Sequence, residues 1–122
     1  MSTVTDLFCG AGGSSIGLTG AGLDLRLAAN HWDQAIETHA ANFPSADHLC
    51  ADISAFDPRR IPSTEILWAS PECTHHSQAQ SKRHTPNLFD PEGDPGAERS
   101  RATMWDVPRF AEVHRYKVIL VE

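Results

Sequence analysis

Asp6-Leu7-Phe8-Cys9-Gly10-Ala11-Gly12-Gly13-Ser14-Ser15-Ile16-Gly17-Leu18 declares the architecture of this chain. A short apolar run, residues 4–8, meets a glycine-rich turn that opens into a helical pattern. Strand, glycine turn and helix start in that order make the opening of a Rossmann-like βαβ unit. Glycine lets a backbone take positive φ and approach a ligand closely, because no Cβ intrudes. The helix start behind it offers unpaired N–H groups and a partial positive charge. A nucleotide-like ligand is the expectation. The dinucleotide fingerprint is not met, since Gly10-Ala11-Gly12-Gly13-Ser14-Ser15 ends in Ser, and the Gly-Lys-Ser/Thr ending of a P-loop is missing. Taken alone, such glycines are as often a tight structural turn.

Outward from the turn, residues 4–22 form the first βα unit, with Ile16 and Leu18 facing the sheet and Gly20 and Gly22 closing the helix. Residues 25–30 read as a second strand, with Leu25, Leu27 and Ala29 on one face. Asp33 reads as the N-cap of a helix that ends at Phe43 before Pro44, its inner stripe Ile36, Ala40 and Phe43. Residues 49–51 give a third strand, and Ile66–Ala69 a fourth whose unbroken apolar character suits burial on both faces. Between residues 70 and 100 Pro, Gly, Asp, Glu, Ser and Gln dominate, as in a long functional loop. Helical spacing of Met104, Val107, Ala111 and His114 marks a helix over 101–114, with Pro108 predicting a kink or a start near Asp106. Val118–Val121 is a fifth strand. Strands alternating with helices predict an α/β fold with a mostly parallel sheet.

At 122 residues the chain suits one domain or a piece of one. A formal charge of −6 argues against a basic nucleic-acid clamp over the whole chain. Three cysteines without paired spacing do not suggest a disulfide framework. With no signal peptide and no apolar span of membrane length, an intracellular, cytoplasmic setting is the expectation.

Ser70-Pro71-Glu72-Cys73-Thr74-His75-His76-Ser77 follows the fourth strand directly. Loops at the carboxyl ends of parallel strands are where α/β proteins build sites. A cysteine there can serve as a nucleophile if its thiolate is favoured, whereas a buried, inert thiol is the commoner fate of a lone cysteine. Cys73, His75, His76, His84 and Glu72 could be combined into a zinc set, but no pair has C-x-x-C or H-E-x-x-H spacing, so no metal is expected.

Asp6-Leu7-Phe8-x-Gly-x-Gly-Gly and the Cys73 block together resemble the DNA (cytosine-5) methyltransferase family. The first matches its S-adenosylmethionine loop. The second matches its Pro-Cys motif, with Ser77 four residues after Cys73. Glu72 and Thr74 stand where the family usually has Pro and Gln, and His31 stands where Asn30-His31-Trp32-Asp33 would normally carry an acid for the ribose hydroxyls. Val118-Ile119-Leu120-Val121-Glu122 resembles the next core motif, an apolar strand ending in the Glu of Glu-Asn-Val.

The resemblance implies a Rossmann-like S-adenosylmethionine-dependent methyltransferase fold in which residues 1–122 are a partial catalytic domain and about 70–100 its catalytic loop. It implies that Cys73 adds to C6 of a flipped-out cytosine and that Glu122 supports N3 and the exocyclic amine. Phe8, Gly10, Gly12, Gly13, His31, Trp32, Asp52, Ile53 and Met104 would hold S-adenosylmethionine, with Asp52, Ile53 and Met104 at the adenine. Ser77, Lys82 and Arg83 would meet DNA, the last two through phosphates. The family's remaining strands and target-recognition domain have no counterpart in residues 1–122, so a complementing C-terminal chain is an expected partner alongside duplex DNA. A bacterial or phage-encoded modification enzyme is the main expectation. A cofactor-binding remnant without activity is the second, and a Rossmann-like oxidoreductase, disfavoured by Ser15 and the Cys73 block, the third. Within the first expectation, an RNA cytosine is an alternative target to DNA.

Overall fold

The computed structural model describes residues 1–72 and 95–122. Five strands form one parallel sheet: β1 (Thr3–Leu7), β2 (Asp24–Asn30), β3 (Asp47–Cys50), β4 (Ile66–Ala69) and β5 (Val118–Val121). Their spatial order is β3-β2-β1-β4-β5. The chain winds outward from β1 to β3, then returns to the other side of β1 for β4. Adjacent loops therefore diverge above β1 and β4, the switch point where open α/β sheets make a crevice.

Helix α1 (Gly13–Gly20) and helix α2 (Asp33–Asn42) follow β1 and β2, and α3 (Pro95–His114) precedes β5. One core cluster joins Leu7, Leu27, Ala29, Leu67 and Ala69 to Val107 and Phe110 of α3. The other joins Val4, Leu18 and Leu25, with Phe43 packed against it at the end of α2. The central strand β1 is buried on both sides, so its polar Thr5 and Asp6 are as inaccessible as Val4 and Leu7.

The strands Ile66–Ala69 and Val118–Val121 form where the apolar runs predict them. Several faces differ from expectation. Leu25 does not share a face with Leu27 and Ala29: the register shifts so that Val4 opposes Leu25 while Thr5 opposes Leu27. Arg26 is the extra, exposed residue of this bulge, and the bulge turns the rest of β2 over. Ile16 is 66% exposed, because α1 turns Ser15 and Leu18 inward and Ile16 lies about 100° further round. In α2 the buried positions are Ala35 and His39, one step from the expected stripe, and Ile36, Ala40 and Phe43 are half-buried. Asp33 is the first helical residue and not the cap, which is Trp32. β3 begins at Asp47, two positions before the expected start.

α3 starts at Pro95, which shortens the expected loop, and it runs through Pro108 without ending. The proline ring lies on the exposed side, so its missing N–H removes one helical bond without disturbing the buried Val107 and Phe110.

Candidate functional site

The glycine turn leaves β1 with Phe8 at φ 61°, Gly10 at 56° and Gly12 at 123°. A bulky residue in the left-handed region is strained, and such strain persists only where neighbours enforce it. Here Cys9 N–H donates to Ala29 O at 3.0 Å and Ser70 N–H to Leu7 O at 3.2 Å, tying both sides of Phe8 to adjacent strands. Cys9 itself is buried, and burial pushes its thiol up to about 12, so it is a neutral packing group.

Asp6 lies under the turn, fully buried. Its Oδ2 accepts from the hydroxyls of Ser14 and Ser15, each at 2.6 Å. Burial pushes this carboxyl above the usual range, the two serines pull it back, and the Glu122 carboxylate adds a further push. Its Oδ1 has no hydrogen-bond partner among the described residues.

His31, Trp32, Asp52, Ile53 and Glu122 follow the carboxyl ends of β2, β3 and β5. Past β2, Asn30 Oδ1 accepts from Trp32 N–H at 3.0 Å, and both His31 and the Trp32 ring are exposed. Past β3, Asp52 is exposed and caps a short 3-10 turn, Ile53–Ala55, by accepting from Ser54 N–H at 3.1 Å. Ile53 is only 2% exposed and packs into the core beside α3, leaving its side chain almost no free surface. Met104, on α3, is exposed. Past β5, Glu122 N–H donates to Ala69 O at 3.0 Å. Ser70 Oγ accepts from the Trp68 indole at 2.9 Å and lies 3.5 Å from Glu122 Oε2. Ser70 thus links the end of β4 to the Glu122 carboxylate at the end of β5. Cys73, Ser77, Lys82 and Arg83 lie outside the described residues, as do His75, His76 and His84.

Two supporting networks were not visible in the sequence. Arg109 on α3 donates to Phe56 O at 2.7 Å and to Ile53 O, and pairs with Asp106 at 3.1 Å. Asp106 Oδ2 also accepts from Ser54 Oγ at 2.6 Å. This clamp locks the Asp52 turn to the helix that carries Met104. The second network joins Asp6 and Ser15 to His39, whose Nε2 is 2.8 Å from Ser15 Oγ. The available signal for it was a carboxylate in the middle of an apolar strand, which must find donors.

The edge fits a cofactor of adenosine-and-amino-acid type. A Cβ built on Gly10 or Gly13 would meet nothing within 4 Å, so the turn borders open space. An exposed aromatic ring and an exposed carboxylate stand at the ends of the next two strands.

Comparison with known proteins agrees with this geometry. Type II methyltransferase M.HgiDI of Herpetosiphon aurantiacus is 34% identical over 83 residues, which are 65% of this chain and 26% of that protein. M.HgiGI of the same organism is 34% identical over 82 residues, 65% of this chain and 64% of that protein. The chain thus spans less than two thirds of the curated relatives it matches. A solved structure described as a prophage-encoded DNA modification methyltransferase (E. coli) superposes with a TM-score of 0.71 over 99% of this chain and 31% of that one, at 24% identity. That likeness establishes the α/β methyltransferase fold. The family model for C-5 cytosine-specific DNA methylases matches residues 2–122. With a glycine turn, Trp32, Asp52 and Glu122 after β1, β2, β3 and β5 and a family match over nearly its whole length, this chain belongs to the C-5 cytosine-specific DNA methylase family.

Proposed function

We infer that this chain is the cofactor-binding and nucleophile-bearing part of a DNA (cytosine-5) methyltransferase that transfers a methyl group to C5 of a flipped-out cytosine. The observation that carries the reading is the arrival of Phe8, the glycines, Trp32, Asp52 and Glu122 at one edge of the sheet, in family order. S-adenosylmethionine, when bound, supplies an electrophilic methyl group. Phe8, Gly10, Gly12 and Gly13 would hold its amino-acid end. His31 and Trp32 would meet the ribose and Asp52, Ile53 and Met104 the adenine, Ile53 mainly through its backbone because its side chain is packed away.

Cytosine C5 is a weak nucleophile. Addition of the Cys73 thiolate to C6 breaks the C5–C6 double bond and places electron density at C5 and, through the ring, at N3. Glu122 would support N3 and the exocyclic amine by hydrogen bonding, which favours that addition. After methylation of C5, loss of its proton to a base restores the double bond and expels the Cys73 thiolate, so the enzyme is regenerated. A base within the duplex stack is unreachable, so the cytosine must be rotated out. Ser77, Lys82 and Arg83 would hold the DNA strand, and a complementing C-terminal segment would read its sequence.

A second reading, a cofactor-binding remnant, is favoured by exposed His31 where the resemblance has an acid, and by Glu72, which puts a carboxylate beside Cys73. Trapping separates the two. A duplex oligonucleotide pool containing 5-fluorocytosine is mixed with S-adenosylmethionine and the chain, with and without a C-terminal complementing chain known to fold and pair. Fluorine cannot leave C5 as a proton does, so an adduct survives denaturation. An adduct that disappears in Cys73→Ala supports the methyltransferase. Cofactor binding without an adduct in either mixture refutes it in favour of the remnant.

A further inference from the structure

A row of polar side chains runs under the glycine turn from the centre of the sheet toward the surface. Ser15 Oγ lies 2.6 Å from Asp6 Oδ2 and 2.8 Å from His39 Nε2, and His39 Nδ1 lies 2.8 Å from His48 Nε2. Asp6, Ser15 and His39 are fully buried, and His48, on β3, is half-buried.

The proton positions follow from valence. Ser15 has one hydroxyl proton and gives it to Asp6 Oδ2, so its oxygen accepts from His39 and the His39 proton is on Nε2. A neutral His39 then presents a bare Nδ1, which accepts from His48 Nε2–H. Burial, with His48 adding to it, pushes the His39 imidazole below its usual value, which keeps it neutral. Donation therefore runs one way, from His48 through His39 and Ser15 to Asp6.

The same imidazole touches the turn. A Cβ built on Gly12 would sit 3.4 Å from His39 Cδ2 and 2.9 Å from Phe43 Cε2, so the two rings fill the space a side chain would need where φ is +123°. His39 thus meets the turn from below and anchors the first turn of α1 through Ser15. We propose that Ser15, His39 and His48 are positioning residues for the cofactor-binding turn, with His39 in the neutral Nε2–H form. This rests on the cofactor reading above.

Two measurements test it. Long-range nitrogen–proton NMR at pH 7.5 reads the tautomers directly, and His39 and His48 should both carry their proton on Nε2. Nδ1–H at His39 overturns the relay. Calorimetric titration with S-adenosylhomocysteine, paired with a thermal melt of the free chain, then separates positioning from stability. His39→Leu should weaken binding by about ten-fold, the size of one lost hydrogen bond. His39→Gln, whose amide can donate toward Ser15 and accept from His48, should restore most of it. Where His39→Leu does not fold, Ser15→Ala removes only the central hydroxyl and should weaken binding in the same direction. Wild-type binding that neither His39→Leu nor Ser15→Ala changes overturns this proposal alone. A wild-type chain that does not bind S-adenosylhomocysteine overturns the cofactor reading as well.

Discussion

Adding one methyl group at Gly12 probes the turn where its geometry is least forgiving. At φ +123° an L residue is strained, at a cost of about 1–3 kcal/mol. The new Cβ would stand 2.9 Å from Phe43 Cε2. Phe43 is backed by Val4, Leu18 and Leu25, so its ring has little room to withdraw, and overpacking of this kind costs about 1–3 kcal/mol. Allowing for partial relaxation, Gly12→Ala should destabilise the fold by about 3 kcal/mol, against roughly 5–15 kcal/mol for a whole domain. For a chain of this size that lowers Tm by about 10–15 °C, which far-UV circular dichroism resolves. A double-mutant cycle with Phe43→Ala isolates the steric part: Gly12→Ala should cost about 1–2 kcal/mol less in that background. A Gly12→Ala variant that melts within about 2 °C of wild type would refute the reasoning, and an additive cycle would refute the role given to Phe43.

Gly17, inside α1 with open space around its Cα, should behave in the opposite way: Gly17→Ala is expected to raise stability by about 0.5–1 kcal/mol, read as a higher Tm. Arg109→Leu removes donors from two carbonyls and leaves the buried Asp106 without its cation, so a loss of about 2–3 kcal/mol is expected in urea titrations. The lowered His39 value means that the unfolded chain takes up a proton near 6.5 while the folded chain does not, so stability should fall as pH drops from about 7, and His39→Gln should flatten that slope. Asp6 acts in the opposite sense: its raised value lets the folded chain bind a proton first, so its contribution grows as pH falls toward 3.8. In β5, which pairs only with β4 among the described residues, Val118, Ile119, Leu120 and Val121 are 39–46% exposed. Concentration-dependent self-association is therefore expected in sedimentation, and Ile119→Lys should reduce it; a monodisperse wild-type chain at high concentration would count against this.

Much of the architecture was legible because its causes are local. Glycines at 10, 12 and 13 between an apolar run and a helical pattern admit few conformations, and Ile-Leu-Trp-Ala and Val-Ile-Leu-Val are short apolar runs that parallel sheets bury or pair. Helix faces were less legible. In α2 the choice between Ile36 and Ala35 depends on what lies below, and His39 turns inward because Ser15 and His48 meet it there. Arg109 and Asp106 read as ordinary charges on a helix, yet they fasten a turn some fifty residues earlier in the chain.

The sequence by itself determined the family and the order of strands and helices, since motif spacing and hydrophobic period are properties of neighbouring residues. The tertiary structure alone decided that β4 returns beside β1, that a bulge at Arg26 turns β2 over, and that Asp6, Ser15, His39 and His48 meet beneath the turn. Those outcomes depend on contacts between distant segments, where a buried polar group takes whichever partner the packing of the whole sheet brings within reach.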